Sequence, residues 1–154
     1  MNKITEQLWI GDLADADSDK CAANGITAIL SCIMPDEHYF VYNPAGLPNY
    51  RIHINDAEPY PEMWLSVALR QLKEWIAEGK VVLVHCGMGI SRSASTCIAY
   101  LMQAEGLTWD EALDRVKAAR PIIMPHIELK KAILQYFQIY PYDGSYDAGP
   151  QETR

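Results

Sequence analysis

The sequence predicts an α/β domain: a central, mostly parallel, twisted sheet of about four to five strands flanked by helices. Three observations lead there. Strand-like and helix-like patterns alternate along the chain. Two runs, ITAILSC (26–32) and VVLV (81–84), are short, apolar and β-branched, as buried parallel strands are. Longer stretches between and after them carry apolar residues at helical spacing, with recognisable caps.

The elements follow in order. Residues 8–11 form a short strand ending at a turn glycine, and 15–24 a helix stopped by Asn24 and Gly25. Residues 26–32 are a buried strand between Gly25 and Pro35. Residues 35–49 hold three prolines and read as a long loop. Residues 50–54 are a strand with Ile52 and Ile54 on one face. Residues 61–78 are a helix, with Pro61 in its first turn, Gly79 at its end, and an apolar stripe of Leu65, Ala68, Leu69, Leu72 and Ile76. Residues 81–84, the most apolar run, form the central strand. Residues 91–105, small and apolar, are a buried helix closed by Gly106. Residues 108–120 open with a capping box, Thr108 and Glu111, and turn Ala112, Leu113, Val116 and Ala119 inward. The last helix, 125–140, carries Ile127, Ile133, Leu134 and Phe137. We expect one domain over residues 1–140 and a polar, turn-rich, mobile tail over 141–154.

Composition narrows the function classes. The chain has 154 residues, 49% hydrophobic and 21% charged, which is globular rather than disordered. Its net charge of −7 disfavours nucleic acid and anionic membrane as partners. No run approaches the ~18 apolar residues of a membrane span. The first ten residues lack a signal-peptide pattern, so a cytoplasmic location with reduced thiols is expected. The four cysteines (21, 32, 86, 97) contain no CxxC pair, so no zinc framework is expected. Asp12, Asp15, Asp17 and Asp19 cluster without a ligand pattern and read as a solvated helix start. No metal or cofactor is expected.

One stretch carries the chemistry: His85-Cys86-Gly87-Met88-Gly89-Ile90-Ser91-Arg92-Ser93, between the central strand and the buried helix. Its glycines let the amides of residues 87–91 turn toward one point, and the helix N-terminus aims at the same point. Such a nest suits a phosphate-sized dianion, with the planar fork of Arg92 gripping two oxygens. Amides, helix dipole and guanidinium together favour Cys86 as a thiolate, a nucleophile in line with a bound phosphorus. The predicted product of its attack is a phosphocysteine, with Arg92 and the loop amides holding the equatorial oxygens. Ser91 shapes the nest, and His85 orients the loop. Asp56, just past the strand YRIHI, is the candidate general acid, with Glu58 as its rival.

HCGMGISRS resembles the HCxxGxxRS signature of the protein tyrosine phosphatase superfamily. The opening LWIGDLADADSDKCAANGITAILSC and the closing RPIIMPHIELKKAILQY are similar to the dual-specificity branch, which commonly reads RPxxxPN where this chain has His126. The resemblance covers roughly residues 4–140. It implies a phosphatase-like fold, Cys86 and Arg92 as catalytic residues, and an acid about thirty residues before the cysteine, where Asp56 stands. It also implies that Ser93 donates to the departing sulfur. A cysteine placed like Cys32 can form a disulfide with the nucleophile in the wider superfamily, so Cys32 is a candidate redox partner. The implied activity is hydrolysis of phosphotyrosine and also phosphoserine or phosphothreonine in phosphoprotein or phosphopeptide substrates. A short chain with few insertions suggests a shallow pocket, with Tyr39, Phe40 and Tyr42 as candidate walls. Three alternatives stand beside it: the same chemistry on a phosphoinositide, an RNA 5′-phosphate or a carbohydrate phosphate; a non-catalytic phosphate-binding module; and sulfur transfer. The absence of Lys or Arg in residues 87–91 argues against polyanionic substrates.

Overall fold

Strands buried on both faces set the architecture, with β-sheet residues covered at every position of the two central runs. In the computed structural model, which describes residues 1–142, five strands form one sheet in the order β1-β2-β5-β3-β4. They are β1 (Asn2–Lys3), β2 (Leu8–Gly11), β3 (Ala28–Cys32), β4 (Asn49–Ile52) and β5 (Val82–His85). β1 runs antiparallel to β2, and every other pairing is parallel. The sequence pattern does not reveal β1, because two residues carry no periodicity. The central place of VVLV is as expected.

Both faces of the sheet are covered, which explains why β3 and β5 read as continuous apolar runs. Leu30, Val82 and Val84 pack into the large core beneath α2 (Glu62–Ala77), α3 (Arg92–Glu105), α4 (Trp109–Ala119) and α5 (Ile127–Ile139). Their strand neighbours Ile29 and Leu83 face the other way, onto Ala16 and Cys21 near α1 (Ser18–Ala23). α3 lies deepest, with Ser93 through Ala99 buried in succession. Gly106 ends it in the left-handed region at φ 67°. The capping box of α4 forms as predicted.

Several boundaries move. The helix expected over 15–24 splits into a 3-10 turn, Ala14–Ala16, and α1, because the Asp17 carboxylate accepts from the N–H groups of Asp19 and Lys20 and starts a new helix there. The loop expected over 35–49 contains a 3-10 turn, Glu37–Phe40. Pro61 caps α2 rather than entering it, and Trp75 is buried where Ile76 was expected. In α4, Trp109 joins Ala112 and Val116 inside, while Leu113 and Ala119 are only partly covered. The face of α5 is rotated from the one expected: Leu129, Ile133, Tyr136 and Phe137 are buried, whereas Ile127 and Leu134 are exposed. The tail expected over 141–154 falls, from residue 143 on, outside the described residues.

Candidate active site

β5, at the middle of the sheet, delivers Cys86 just past its C-terminal end, where open α/β sheets place their ligands. The sulfur is buried, and the turn that follows is governed by its carbonyls. Each one from Cys86 to Ile90 has an outward partner. Cys86 O accepts from His85 Nδ1 at 3.2 Å, Gly87 O from Leu13 N at 3.0 Å, and Ile90 O from Met124 N at 2.8 Å. Arg120 holds the remaining two, with Nε on Gly89 O at 2.7 Å and Nη2 on Met88 O at 3.2 Å. A trans peptide points its N–H opposite to its carbonyl, so the N–H groups of residues 87–91 face the other side of the loop. Among the described residues none of these five has a protein acceptor. Together with the N-terminus of α3 they form a cup of donors for an anion.

Gly89 is sterically required, and Gly87 leaves little room for a side chain. Gly89 sits at φ +67°, and a Cβ there would lie 2.7 Å from Gly11 O. At Gly87 a Cβ would come within 3.2 Å of Arg92 Nη2.

Arg92, the first residue of α3, is anchored by a residue that sequence pattern does not single out. Its Nη1 and Nη2 donate to Glu37 Oε2 and Oε1 at 2.8 and 2.9 Å, and Nη1 also donates to Ile54 O at 3.2 Å. Glu37 in turn accepts from Met34 N. The hydrogen bonds from Arg92 hold the Glu37 carboxyl below its ordinary range, and the same bonds raise the guanidinium. Of the five guanidinium N–H bonds, three are used among the described residues. The edge formed by Nε and the second Nη2 hydrogen stays open as a fork for two anion oxygens.

Ser93 Oγ lies 3.2 Å from Cys86 Sγ, fully buried. Asp56 and Cys86 line one cavity of about 480 Å³, together with Met88, Ile90, Arg92 and His126. Ser91 Oγ donates to Asp56 Oδ1 at 2.6 Å and accepts from His126 N at 2.9 Å. The loop turns at once after Asp56, since Ala57 takes the left-handed conformation at φ 63°, at a cost of about 1 kcal/mol. Glu58, the rival acid, is exposed and does not line the cavity. His126 caps α5, where its Nδ1 accepts from Glu128 N at 3.1 Å.

His85 sits in a buried relay. Cys86 O can only accept, so Nδ1 carries the hydrogen and Nε2 accepts from Ser31 Oγ at 2.7 Å. Asn49 Nδ2 donates to Ser31 at 2.9 Å. Burial pushes the imidazole down to about 4, so it is neutral at neutral pH. Cys32, at the end of β3, is buried with its Sγ 3.5 Å from Thr96 Oγ1, and burial pushes its thiol up to about 12. All four cysteines are free and buried.

Tyr39, Phe40 and Tyr42 correct one expectation: they point to solvent, 92, 70 and 58% exposed, and do not line the cavity. The walls come from Met88, Ile90, Met124, Pro125 and Ile127 instead. Glu37, Ser31 and Asn49 act across long sequence separations and leave no local signal. Arg120 had one, its place before Pro121 in RPIIMPH.

No helix among the described residues is long and apolar enough to cross a membrane. Among solved structures, the human tyrosine phosphatase-like serine/threonine/tyrosine-interacting protein superposes with a TM-score of 0.83 at 27% identity, over 91% of this chain and 97% of that one. Dual specificity protein phosphatase 22-A of Danio rerio is 32% identical over 90% of this chain and 65% of its own length. For human dual specificity protein phosphatase 2 the identity is 35%, over 87% of this chain and 42% of that protein. The chain thus spans less than two thirds of the length of the two curated phosphatases. The family model described as "dual specificity phosphatase, catalytic domain" matches residues 8–139, nearly the whole described fold including the cysteine loop. On that match the chain belongs to the dual specificity phosphatase catalytic-domain family.

Proposed function

We propose that this chain is a cysteine-dependent phosphatase that hydrolyses phosphomonoesters of tyrosine, and of serine or threonine, in phosphoproteins. One observation carries the reading: a buried sulfur, Cys86, sits beneath an unpaired N–H cup and a half-used guanidinium, in a cavity that also holds the Asp56 carboxyl. The Cys86 thiolate attacks phosphorus, forming the S–P bond as the P–O bond to the leaving group breaks. Asp56 gives its proton to that oxygen. Water then attacks the phosphocysteine, Asp56 takes its proton, and the sulfur leaves as a thiolate that accepts a hydrogen bond from Ser93. The cup and Arg92 hold the equatorial oxygens throughout.

Turnover of p-nitrophenyl phosphate and of phosphotyrosyl and phosphothreonyl peptides tests this. Cys86→Ser abolishes turnover with the fold intact, and Asp56→Asn slows alkyl substrates more than aryl ones. Full activity in Cys86→Ser refutes the reading. The same chemistry on polyanionic phosphates is disfavoured because Arg92 is the sole Lys or Arg among the described residues that line the cavity.

We extend the proposal to a single catalytic domain over residues 1–140 in a reducing, cytoplasmic setting, which the four free thiols support. Under peroxide, Cys86 becomes a sulfenic acid. Attack by the Cys32 sulfur then expels water and closes a disulfide, to be read as a linked peptide by mass spectrometry.

A further inference from the structure

The floor of the cavity is polar, and its mouth, apart from the exposed Asp56 carboxyl, is largely apolar. Met88 is 70% exposed, Met124 75% and Ile127 55%, and all three line the cavity. Ile122, 59% exposed, stands two residues from Met124. Single exposed apolar side chains are ordinary, but several gathered round one site mark a surface that is covered in use. They come from the loop tip, the segment before α5 and the first residue of α5. The segment is fixed to the loop by the Met124 N–H on Ile90 O, so the rim is part of the site's frame. Among the described residues Arg92 is the only Lys or Arg in the lining, and the chain carries a net charge of −7.

We propose that this rim recognises apolar side chains beside the phosphorylated residue, so that the substrates are phosphopeptide segments with apolar neighbours and without adjacent carboxylates or a second phosphate. The inference rests on the phosphatase reading and deepens it. The phosphate is neutralised at the floor by Arg92 and the amides. A neighbouring carboxylate would be stripped of water against thioether and isoleucine carbons, with no lysine or arginine of the described rim to meet it. A neighbouring Leu would bury about half its side chain there, worth roughly tenfold in kcat/KM. Peptide is favoured over a lipid surface because the rim brings no lysine or arginine to an anionic bilayer.

The test uses the full chain and phosphotyrosyl peptides that differ only at the flanking positions, Leu, Ala or Glu. The expected order of kcat/KM is Leu above Ala above Glu, with Leu exceeding Glu by more than about tenfold. Met124→Lys with Ile127→Lys, both at exposed positions, reverses the order by attracting Glu. Met124→Gln alone, a milder change, narrows the span between Leu and Glu. Binding of the same peptides to Cys86→Ser reads the preference without turnover, so it distinguishes failure of the rim from failure of the chemistry. Equal affinity for all flanks, or an order that survives the double substitution, overturns the proposal. So does tighter binding to vesicles of phosphatidylcholine with phosphatidylinositol monophosphate than to the Leu peptide.

Discussion

Arg120 does not line the cavity, yet removing it should loosen an anion held inside. Its guanidinium makes charge-assisted bonds to Gly89 O at 2.7 Å and Met88 O at 3.2 Å, and a third to Asn2 Oδ1 at 2.8 Å keeps the plane in register. Such bonds contribute about 1.5–3 kcal/mol each when dry. The Met88 bond is exposed and long, so most of the effect belongs to the Gly89 bond, and about 2 kcal/mol is a fair total. In Arg120→Ala the two carbonyls turn to water, and the Gly89 and Ile90 N–H groups lose their fixed direction into the cup. If that cost falls on the anion-bound state, tungstate or orthophosphate binds roughly 30-fold more weakly. Titration calorimetry on the full chain measures it. Arg120→Lys, with a point charge that serves one carbonyl at a time, falls between the two. Added guanidinium ion restores part of the affinity in Arg120→Ala and none in wild type. Unchanged tungstate affinity in Arg120→Ala, with the protein folded, would refute the idea that carbonyl anchoring aims the loop amides.

Three further outcomes follow from the same contacts. Glu37→Gln leaves Arg92 without its charged bidentate partner, lowering both anion affinity and Tm. Because the Glu37 carboxyl is held below its ordinary 4.5, its contribution is complete above that pH and disappears as pH falls through the lower folded value. The Tm gap between wild type and Glu37→Gln therefore closes in acid. His85, ordinarily near 6.5 but about 4 when folded, takes up its proton in the unfolded chain first, so stability falls as pH drops from about 6.5 toward 4. The loss is on the order of 3 kcal/mol, and denaturant melts of His85→Asn show a shallower fall across that window. Ser91→Ala removes the donor that fixes Asp56, slowing alkyl phosphate turnover about tenfold. In an Asp56→Asn background it has little further effect, which a double-mutant cycle checks.

How much of this was legible in the sequence depends on whether the signal is local. The strand in ITAILSC, which begins at Ala28, the capping box at Thr108 and the position of the cysteine loop between a strand and a helix are local patterns. Boundaries slipped where one side chain outvoted periodicity, as the Asp17 carboxylate did when it broke the first helix. The face of α5 was misjudged because Ile127 and Leu134 look like core residues and are not. The helix instead buries Leu129, Ile133, Tyr136 and Phe137, a rotation of the stripe set by what it packs against and not by composition. The pocket walls failed for the same reason: an aromatic cluster at 39–42 is the obvious choice by composition, but the wall is built by a segment more than thirty residues beyond the loop it borders.

Glu37, which leaves no local trace in the sequence, and Arg120, which leaves only its place before Pro121, act on the same requirement from opposite sides. A flexible arginine that must be ordered by its ligand gives up as much as ~2 kcal/mol of rotamer freedom at binding, and a free glycine loop gives up backbone freedom as well. Glu37 fixes the first before any anion arrives, and Arg120 fixes the second. Neither group reaches the anion, so each can be removed without touching the nucleophile. Glu37→Gln and Arg120→Ala in one chain therefore measure preorganisation itself. If the guanidinium and the loop are ordered independently, the two losses in tungstate affinity add. If the anion-ready form is a single cooperative state, the double variant loses less than the sum.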